Sequence, residues 1–554
     1  MHQSTKHPPS FPPHNTKQRG FLVLLPFLSH TDTHAHARTR TRTHAPSFSS
    51  RLPSVMALYP TRLGQLSLAD WIKLSFALVI VVVEAVTRLL LFVLPAPLIA
   101  FIDSNIVSFV KRVSVFSEAH VFQGDTIPPS EDTHNLSAVQ LAQHFGFFLE
   151  QHVVLTKDGF QLALHRLRQP EMQPRKGVVF LQHGLMQCSE AWLCTRDSFA
   201  YLLFEEGYDV WMGNSRGNKY SCKHMTFKPH DPAFWDFSID EMAANDLPAS
   251  IDHVLASTGA SSLSYVGFSQ GTALGFAAFS LNQQLAHKID VFVALAPAAK
   301  ALGLRQGFLQ TLVHLAPQSI FLVFGTRSLM PWVMFWRSVL TRRVYARLIE
   351  SGCQMLFDWR MDQLGDQRRR LMLYSHLFSL TSVKTIVHWF QIVASDTFQQ
   401  YDDNREFRSG YRLIEQQQYP LNQMPCPVVM MYGGADRLTD ILWMKRNLPE
   451  HSAAGHIRIP NYEHLDLMWA ADAEEKVLPH VIAAIERFRR RQTALDAFGE
   501  SGNEATATHP QHPQHQGHVE GEEDAVPLEN DTASRVLKRA VPAATIPPTA
   551  SLSG

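Results

Sequence analysis

Three side chains, set out along the chain in the order Ser, Asp, His, could together attack an acyl carbonyl. Each stands where a regular element ends. Ser269 lies in Gly267-Phe268-Ser269-Gln270-Gly271, after the β-branched and aromatic run that starts at Leu263 and before a small-residue apolar stretch reaching Phe279. Strand, sharp turn and helix in that order make a nucleophile elbow, the G-x-S-x-G motif. The turn strains the serine backbone, and glycine at both flanks leaves room for it. The serine oxygen then stands clear at the sheet edge, and the next backbone N–H, that of Gln270, faces the charge developing on the carbonyl oxygen.

A serine nucleophile needs a base, and the base needs an orienting carboxylate. Asp436 follows the strand-like run Pro427 to Tyr432 through Gly433-Gly434-Ala435, and His464 lies in the turn after the next strand, His456 to Ile459. Asp440 is a rival acid, but it falls in the loop or helix beyond. Asp466 is close to His464 in sequence, an offset that rarely orients the ring. A second oxyanion donor is expected from the backbone of Leu185, in Gln182-His183-Gly184-Leu185 directly after the short strand Gly177 to Leu181. His183 itself, as a lone histidine, would ordinarily be structural. The chain also holds a decoy, Gly213-Asn214-Ser215-Arg216-Gly217. Polar sequence and a proline-containing loop follow it rather than an apolar helix, so Ser215 reads as part of a structural loop.

These positions require a sheet. Strands alternate with helical stretches through Tyr208 to Met212, a helix near Ile239 to Ser257, Leu263 to Val266 and Val291 to Leu295, the rhythm of an α/β fold with a mostly parallel sheet and helices on both faces. A D-G turn at Lys157-Asp158-Gly159 joins Val153 to Leu155 and Phe160 to Leu167 as a hairpin. The rhythm breaks from about residue 300 to 401, a helical block rich in large apolar residues that reads as a cap inserted between two sheet strands. It resumes at Pro427, and an amphipathic helix from Val477 to Phe488 closes the domain.

The chain has 554 residues, with 50 Lys and Arg against 50 Asp and Glu, and no basic stripe that would point to nucleic acid. Five cysteines without C-x-x-C spacing suggest neither zinc nor a disulfide framework, and fit reduced thiols in a cytosol-facing protein. Residues 1–55 form a low-complexity leader that alternates His, Thr, Ala and Arg, which marks Met56 as the expected start. Phe21 to Leu28 is too short for a secretory signal, contains Pro26 and lacks a cleavage site. Residues 66–112 read as a membrane anchor. Leu74 to Leu94 would reach ~30 Å as a helix, Glu84 and Arg88 can pair on one face, and Pro95-Ala96-Pro97 breaks the run, so a hairpin fits as well as a span. The globular domain runs from 117 to 495, and 497–554 reads as a disordered tail.

At these residues the chain resembles the acid lipase family, the gastric and lysosomal lipases with the fungal steryl ester hydrolases. GYDVWMGNSRGNKYSCKHMTFKPHDPAFWDFSIDEMAANDLPASIDHV, Gly207 to Val254, reads almost as that family's signature. LQHGLMQCSEAW, GFSQG, MYGGADRLTD and NYEHLDLMWA supply further blocks. The resemblance covers about 117 to 490 and implies the α/β-hydrolase fold, with Ser269, Asp436 and His464 as nucleophile, acid and base, GNSRG as a non-catalytic block, and no metal or cofactor. LGQLSLADWIKLSFALVIVVVEAVTRLLLFVLPAPLIAFID resembles the membrane segment of fungal steryl ester hydrolases. It implies a membrane-associated enzyme at a lipid droplet or the endoplasmic reticulum, acting on neutral lipids, steryl esters first and acylglycerols second. The cap matches more weakly, mainly in YSHLFSLTSVKTIVHWFQ. A triacylglycerol lipase of the same fold, a secreted soluble lipase, and a catalytically silent membrane-tethered lipid-binding protein are the alternatives.

Overall fold

The computed structural model describes residues 133–169, 176–300, 320–321, 324–329, 331–403 and 417–489. The leader, the membrane segment and the tail expected from sequence lie outside them. Among the described residues no helix is long and apolar enough to cross a membrane.

Near-continuous apolar runs are what a strand needs when both its faces are covered. Every residue of β3 (Val178–Gln182), β4 (Asp209–Met212) and β6 (Leu263–Phe268) is buried, and β7 (Ile289–Leu295) nearly so. With β8 (Val428–Gly433) and β9 (Ala453–Ile459) they form a parallel sheet in the order β4-β3-β6-β7-β8-β9. Outside β4 the antiparallel hairpin β1 (Phe148–Leu155) and β2 (Phe160–Arg168) completes the edge, and the two-residue β5 (Lys223–His224) pairs with β2. Alternate side chains feed two opposite layers. Val179 and Leu181 join Trp192, Tyr201 and Trp469 on one side, while Val178 and Phe180 join Phe276, Leu247 and Tyr265 on the other.

Most element boundaries fall within two residues of the sequence reading, and three depart further. The hairpin strand begins at Phe148 rather than Val153, because an edge strand with both faces part-exposed shows no clean alternation. β9 takes in Ala453 to Gly455, weak strand formers held by pairing with β8. The helix expected from Ile239 to Ser257 is interrupted by a π-helical turn, Met242–Asp246, before Leu247–Thr258 resumes. Pro248 accounts for this: its ring excludes the carbonyl four residues earlier, and a wider turn absorbs the clash.

The inserted block lies between β7 and β8. Its described helices are Pro331–Val339, Arg342–Phe357, Gln367–Ser375 and Val383–Ser395. It docks on the core through a buried carboxylate. Glu190 accepts from Lys219 Nζ (2.5 Å), from the Tyr220 hydroxyl and from His376 Nδ1 (2.8 Å), whose Nε2 faces the Thr133 carbonyl at 2.8 Å. Burial works to raise the Glu190 pKa, but the bonds and charge of His376 and Lys219 outweigh it and bring it down to about 2.

Candidate active site

The turn after β6 places Ser269 at φ 52° and ψ −117°, a left-handed strain that a serine adopts only when its surroundings impose it. The glycines flanking it impose it through close backbone approach. A Cβ on Gly267 would sit 2.8 Å from the Gly271 carbonyl carbon and oxygen, and one on Gly271 would sit 2.4 Å from the Gln182 carbonyl oxygen at the end of β3. The elbow is also tied down: the Ser269 carbonyl accepts from Thr272 N–H (2.8 Å) and from Thr272 Oγ1 (2.6 Å), which accepts in turn from Ala298 N–H (2.9 Å). Eleven residues of the helix Gln270–Leu281 are buried, so the turn rests against packed core.

β8 and β9 bring the other two groups to the same sheet edge. Gly433 lets the loop that carries His464 cross β8, since a Cβ there would meet the Tyr462 carbonyl oxygen at 2.1 Å. Ser269 Oγ–H donates to His464 Nε2 (2.8 Å), and His464 Nδ1–H donates to Asp436 Oδ2 (2.9 Å). The Asp436 side chain is fully buried. Burial works to raise its pKa, but attraction to His464 and the bonds from His464, Thr439 Oγ1 (2.8 Å) and Leu438 N–H (2.8 Å) win and hold it below the usual carboxylate range. A fixed carboxylate on Nδ1 leaves Nε2 as the basic nitrogen facing the serine hydroxyl, the arrangement that moves a proton off Ser269 as it attacks.

The rival residues are engaged elsewhere. Asp440 caps the helix Ile441–Asn447 by accepting from Trp443 N–H (3.0 Å), and pairs with Lys300 (3.3 Å). Asp466 accepts from Glu463 N–H at 2.7 Å rather than meeting the His464 ring. Ser215 sits in a buried loop where its Oγ accepts from Gln182 Nε2 (2.9 Å), and its neighbour Arg216 is locked to Asp158 and Asp246 at 2.6 and 2.7 Å. His183 serves the same loop. Ser215 N–H donates to its Nε2 (3.1 Å), so Nδ1 carries the proton and donates to the Gly184 carbonyl (2.8 Å). Burial pushes its pKa down to about 4, keeping it neutral.

Gly184 lies against the serine, where an added Cβ would be 3.2 Å from Ser269 Cβ. Gln187 Oε1 fixes that loop by accepting from Gly184 N–H (2.9 Å). Among the described residues no acceptor is bonded to the N–H of Leu185 or of Gln270. The Gln270 side chain is engaged by Trp389, whose Nε1–H donates to Gln270 Oε1 (2.8 Å).

Several residues around the site carry no sequence signal of their own. Trp359, in the cap, stacks on the His464 ring with centroids 5.2 Å apart and planes 10° from parallel, while Phe268 packs tilted at 5.4 Å. Glu463, beside His464, is buried, and burial pushes its pKa up to about 7. Burial likewise takes Asp466 up to about 6. Thr439, which donates to Asp436, was not singled out either, though a hydroxyl three residues past a strand-end aspartate is the signal that would find it.

The family described as partial alpha/beta-hydrolase lipase region matches residues 138–196, and the alpha/beta hydrolase fold matches residues 177–471. A Schizosaccharomyces pombe protein named a probable lipase is 36% identical over 430 residues, which cover 76% of this chain and 95% of that one. Gastric triacylglycerol lipase of Homo sapiens is 34% identical over 399 residues, 70% of this chain and 99% of that one. Among solved structures, a Bacillus subtilis carboxylesterase, CesB, aligns with 65% of this chain and 99% of its own at 13% identity, with a TM-score of 0.35, too slight a likeness to add to the argument. The alpha/beta hydrolase fold match spans the strand ends that bear Ser269, Asp436 and His464, and this chain belongs to the acid lipase family of α/β hydrolases and is a carboxylic ester hydrolase.

Proposed function

We propose that this enzyme hydrolyses the esters of neutral lipids at a membrane or lipid-droplet surface, steryl esters before acylglycerols. The observation that carries the hydrolytic part is the hydrogen-bonded line from Ser269 Oγ through His464 to Asp436 on a strained elbow. Ser269 Oγ attacks the ester carbonyl while His464 Nε2 takes its proton, and the oxyanion is held by the N–H groups of Leu185 and Gln270. The imidazolium then protonates the departing sterol or glycerol oxygen, leaving an acyl-enzyme. Water, deprotonated by His464, attacks that ester, and collapse of the second intermediate returns the proton to Ser269 and releases the fatty acid. Asp436 keeps the ring in one tautomer and balances its charge throughout.

The steryl ester preference rests on the likeness of residues 63–103 to the membrane segment of fungal steryl ester hydrolases. The same likeness motivates a droplet or endoplasmic reticulum location, where insoluble substrate is concentrated. A second reading, triacylglycerol lipase, is favoured by the name of the human gastric relative. Full-length protein beside Ser269→Ala, on emulsified cholesteryl oleate and on triolein, separates them. Fatty acid released chiefly from the steryl ester supports the first reading. Release chiefly from triolein supports the second, and equal rates for the variant and wild type on both lipids overturn the hydrolytic assignment.

A further inference from the structure

Resting on the assignment of His464 as base, the geometry points to Trp359 as a positioning residue, a cap side chain whose indole face orients the imidazole and stabilises the imidazolium that forms on it. Buried tryptophans are common in cores, and Trp359 does belong to the apolar cluster beneath the cap. Its placement exceeds what packing requires. The indole and imidazole planes lie within 10° of parallel, the arrangement in which an aromatic face meets a cationic ring. Phe357 also stacks on the indole, with centroids 4.4 Å apart and planes 23° from parallel, a second contact that restrains the ring.

The backbone on either side of Trp359 is fastened to the two loops that bear the acid and the base. Asp358, at φ 58° after the helix Arg342–Phe357, accepts from Nη1 of Arg437 at 2.6 Å, the residue directly after Asp436. Arg360 N–H donates at 2.5 Å to Glu463 Oε2, the residue directly before His464. Three consecutive cap residues thus grip the Asp436 loop, the His464 ring and the His464 loop in turn. The exposed Asp358–Arg437 pair adds little stability by itself. The Arg360–Glu463 bond is buried at its acceptor and holds the segment in register.

When His464 takes the Ser269 proton the ring becomes cationic while packed against Trp359 and Phe268, with its side chain almost fully buried. A π-face stacked on a desolvated cation lowers the cost of that charge, and the charge exists on the reaction path but not in the resting enzyme. Loss of the face therefore falls on kcat and spares KM. Phenylalanine at 359 keeps a face without the indole N–H, and leucine keeps bulk without a face.

Full-length wild type, Ser269→Ala, Trp359→Phe and Trp359→Leu are compared on p-nitrophenyl butyrate, a soluble ester that needs no lipid surface, with each melting temperature recorded. Trp359→Leu is expected to lose about 10- to 30-fold in kcat with KM within about twofold, and Trp359→Phe to stay within about threefold of wild type. Equal activity of both variants with wild type, equal losses in both, or a loss carried by KM overturns the inference. If Trp359→Leu does not fold, Glu463→Ala, which frees Arg360 and keeps the ring, must show the same kcat loss, and its absence overturns the inference. Ser269→Ala equal to wild type would instead overturn the underlying assignment, so the two failures are told apart.

Discussion

Gly271→Ala is the sharpest test of how the elbow and the oxyanion loop depend on each other. A methyl at 271 would lie 2.4 Å from the Gln182 carbonyl oxygen and 2.9 Å from that of His183, both backbone atoms that cannot rotate away. Reaching the 3.0 Å that a Cβ tolerates requires a separation of about 0.6 Å between the end of β3 and the helix that starts at Gln270. Those two segments carry the proposed oxyanion donors, Leu185 and Gln270. A misplacement of order 1 Å costs about 100-fold, and a lost oxyanion donor about 100- to 1,000-fold. The partial shift predicts a kcat loss of about 10- to 100-fold, with stability lowered by about 1–3 kcal/mol from overpacking. Hydrolysis of p-nitrophenyl butyrate and thermal melting read the two effects separately. Gly352→Ala is the control, since open space surrounds that position in the helix Arg342–Phe357 and alanine there should stabilise by up to about 1 kcal/mol. A folded Gly271→Ala enzyme keeping more than a third of wild-type kcat would show that the elbow and the oxyanion loop do not depend on this contact.

Asp436→Asn should lower kcat on the same ester by about 10,000-fold, because an amide whose one oxygen keeps the Leu438 N–H bond in place of Oδ1 puts its NH2 where Oδ2 met His464 Nδ1–H. Asp440→Asn, which keeps the helix cap, should leave kcat within about threefold, and comparable losses in the two would reopen the choice of acid. Glu463 has a folded pKa raised to about 7 from 4.5, so the folded protein binds the extra proton and stability is full below 4.5 and falls as pH rises through 7. Melting temperature should therefore drop between pH 5 and about 7.5, and Glu463→Gln should flatten that slope; an unchanged slope would remove Glu463 as its source. Glu190→Ala leaves Lys219 and His376 facing a buried gap and should destabilise by about 3–5 kcal/mol in urea melts, whereas a loss under 1 kcal/mol would show that the cap does not depend on this anchor.

The elbow was legible because everything that makes it is local. A strand, five residues and a helix fix the backbone of Ser269, and the glycines that permit it are adjacent. Asp436 and His464 were legible from strand ends, as each stands just beyond a run of β-forming residues. The decoy at Ser215 fell to the same logic, since the sequence after it cannot supply a helix. Trp359 was not legible, because its contact with His464 bridges more than a hundred residues and depends on how an inserted cap folds back. The Glu190–His376 anchor is hidden for the same reason, 186 residues apart, and neither residue type announces burial. The π-turn at Met242–Asp246 was missed: the helical pattern reads as continuous, and the effect of Pro248 on the preceding turn outweighed it.

Whether Ser269 is the nucleophile of a serine ester hydrolase is decided by labelling with a fluorophosphonate probe followed by peptide mass spectrometry. One stoichiometric adduct is expected on the peptide carrying Ser269, lost in Ser269→Ala and slowed by orders of magnitude in His464→Ala. An adduct on Ser215, or full-length folded enzyme that hydrolyses ester while Ser269 stays unlabelled, would contradict that assignment.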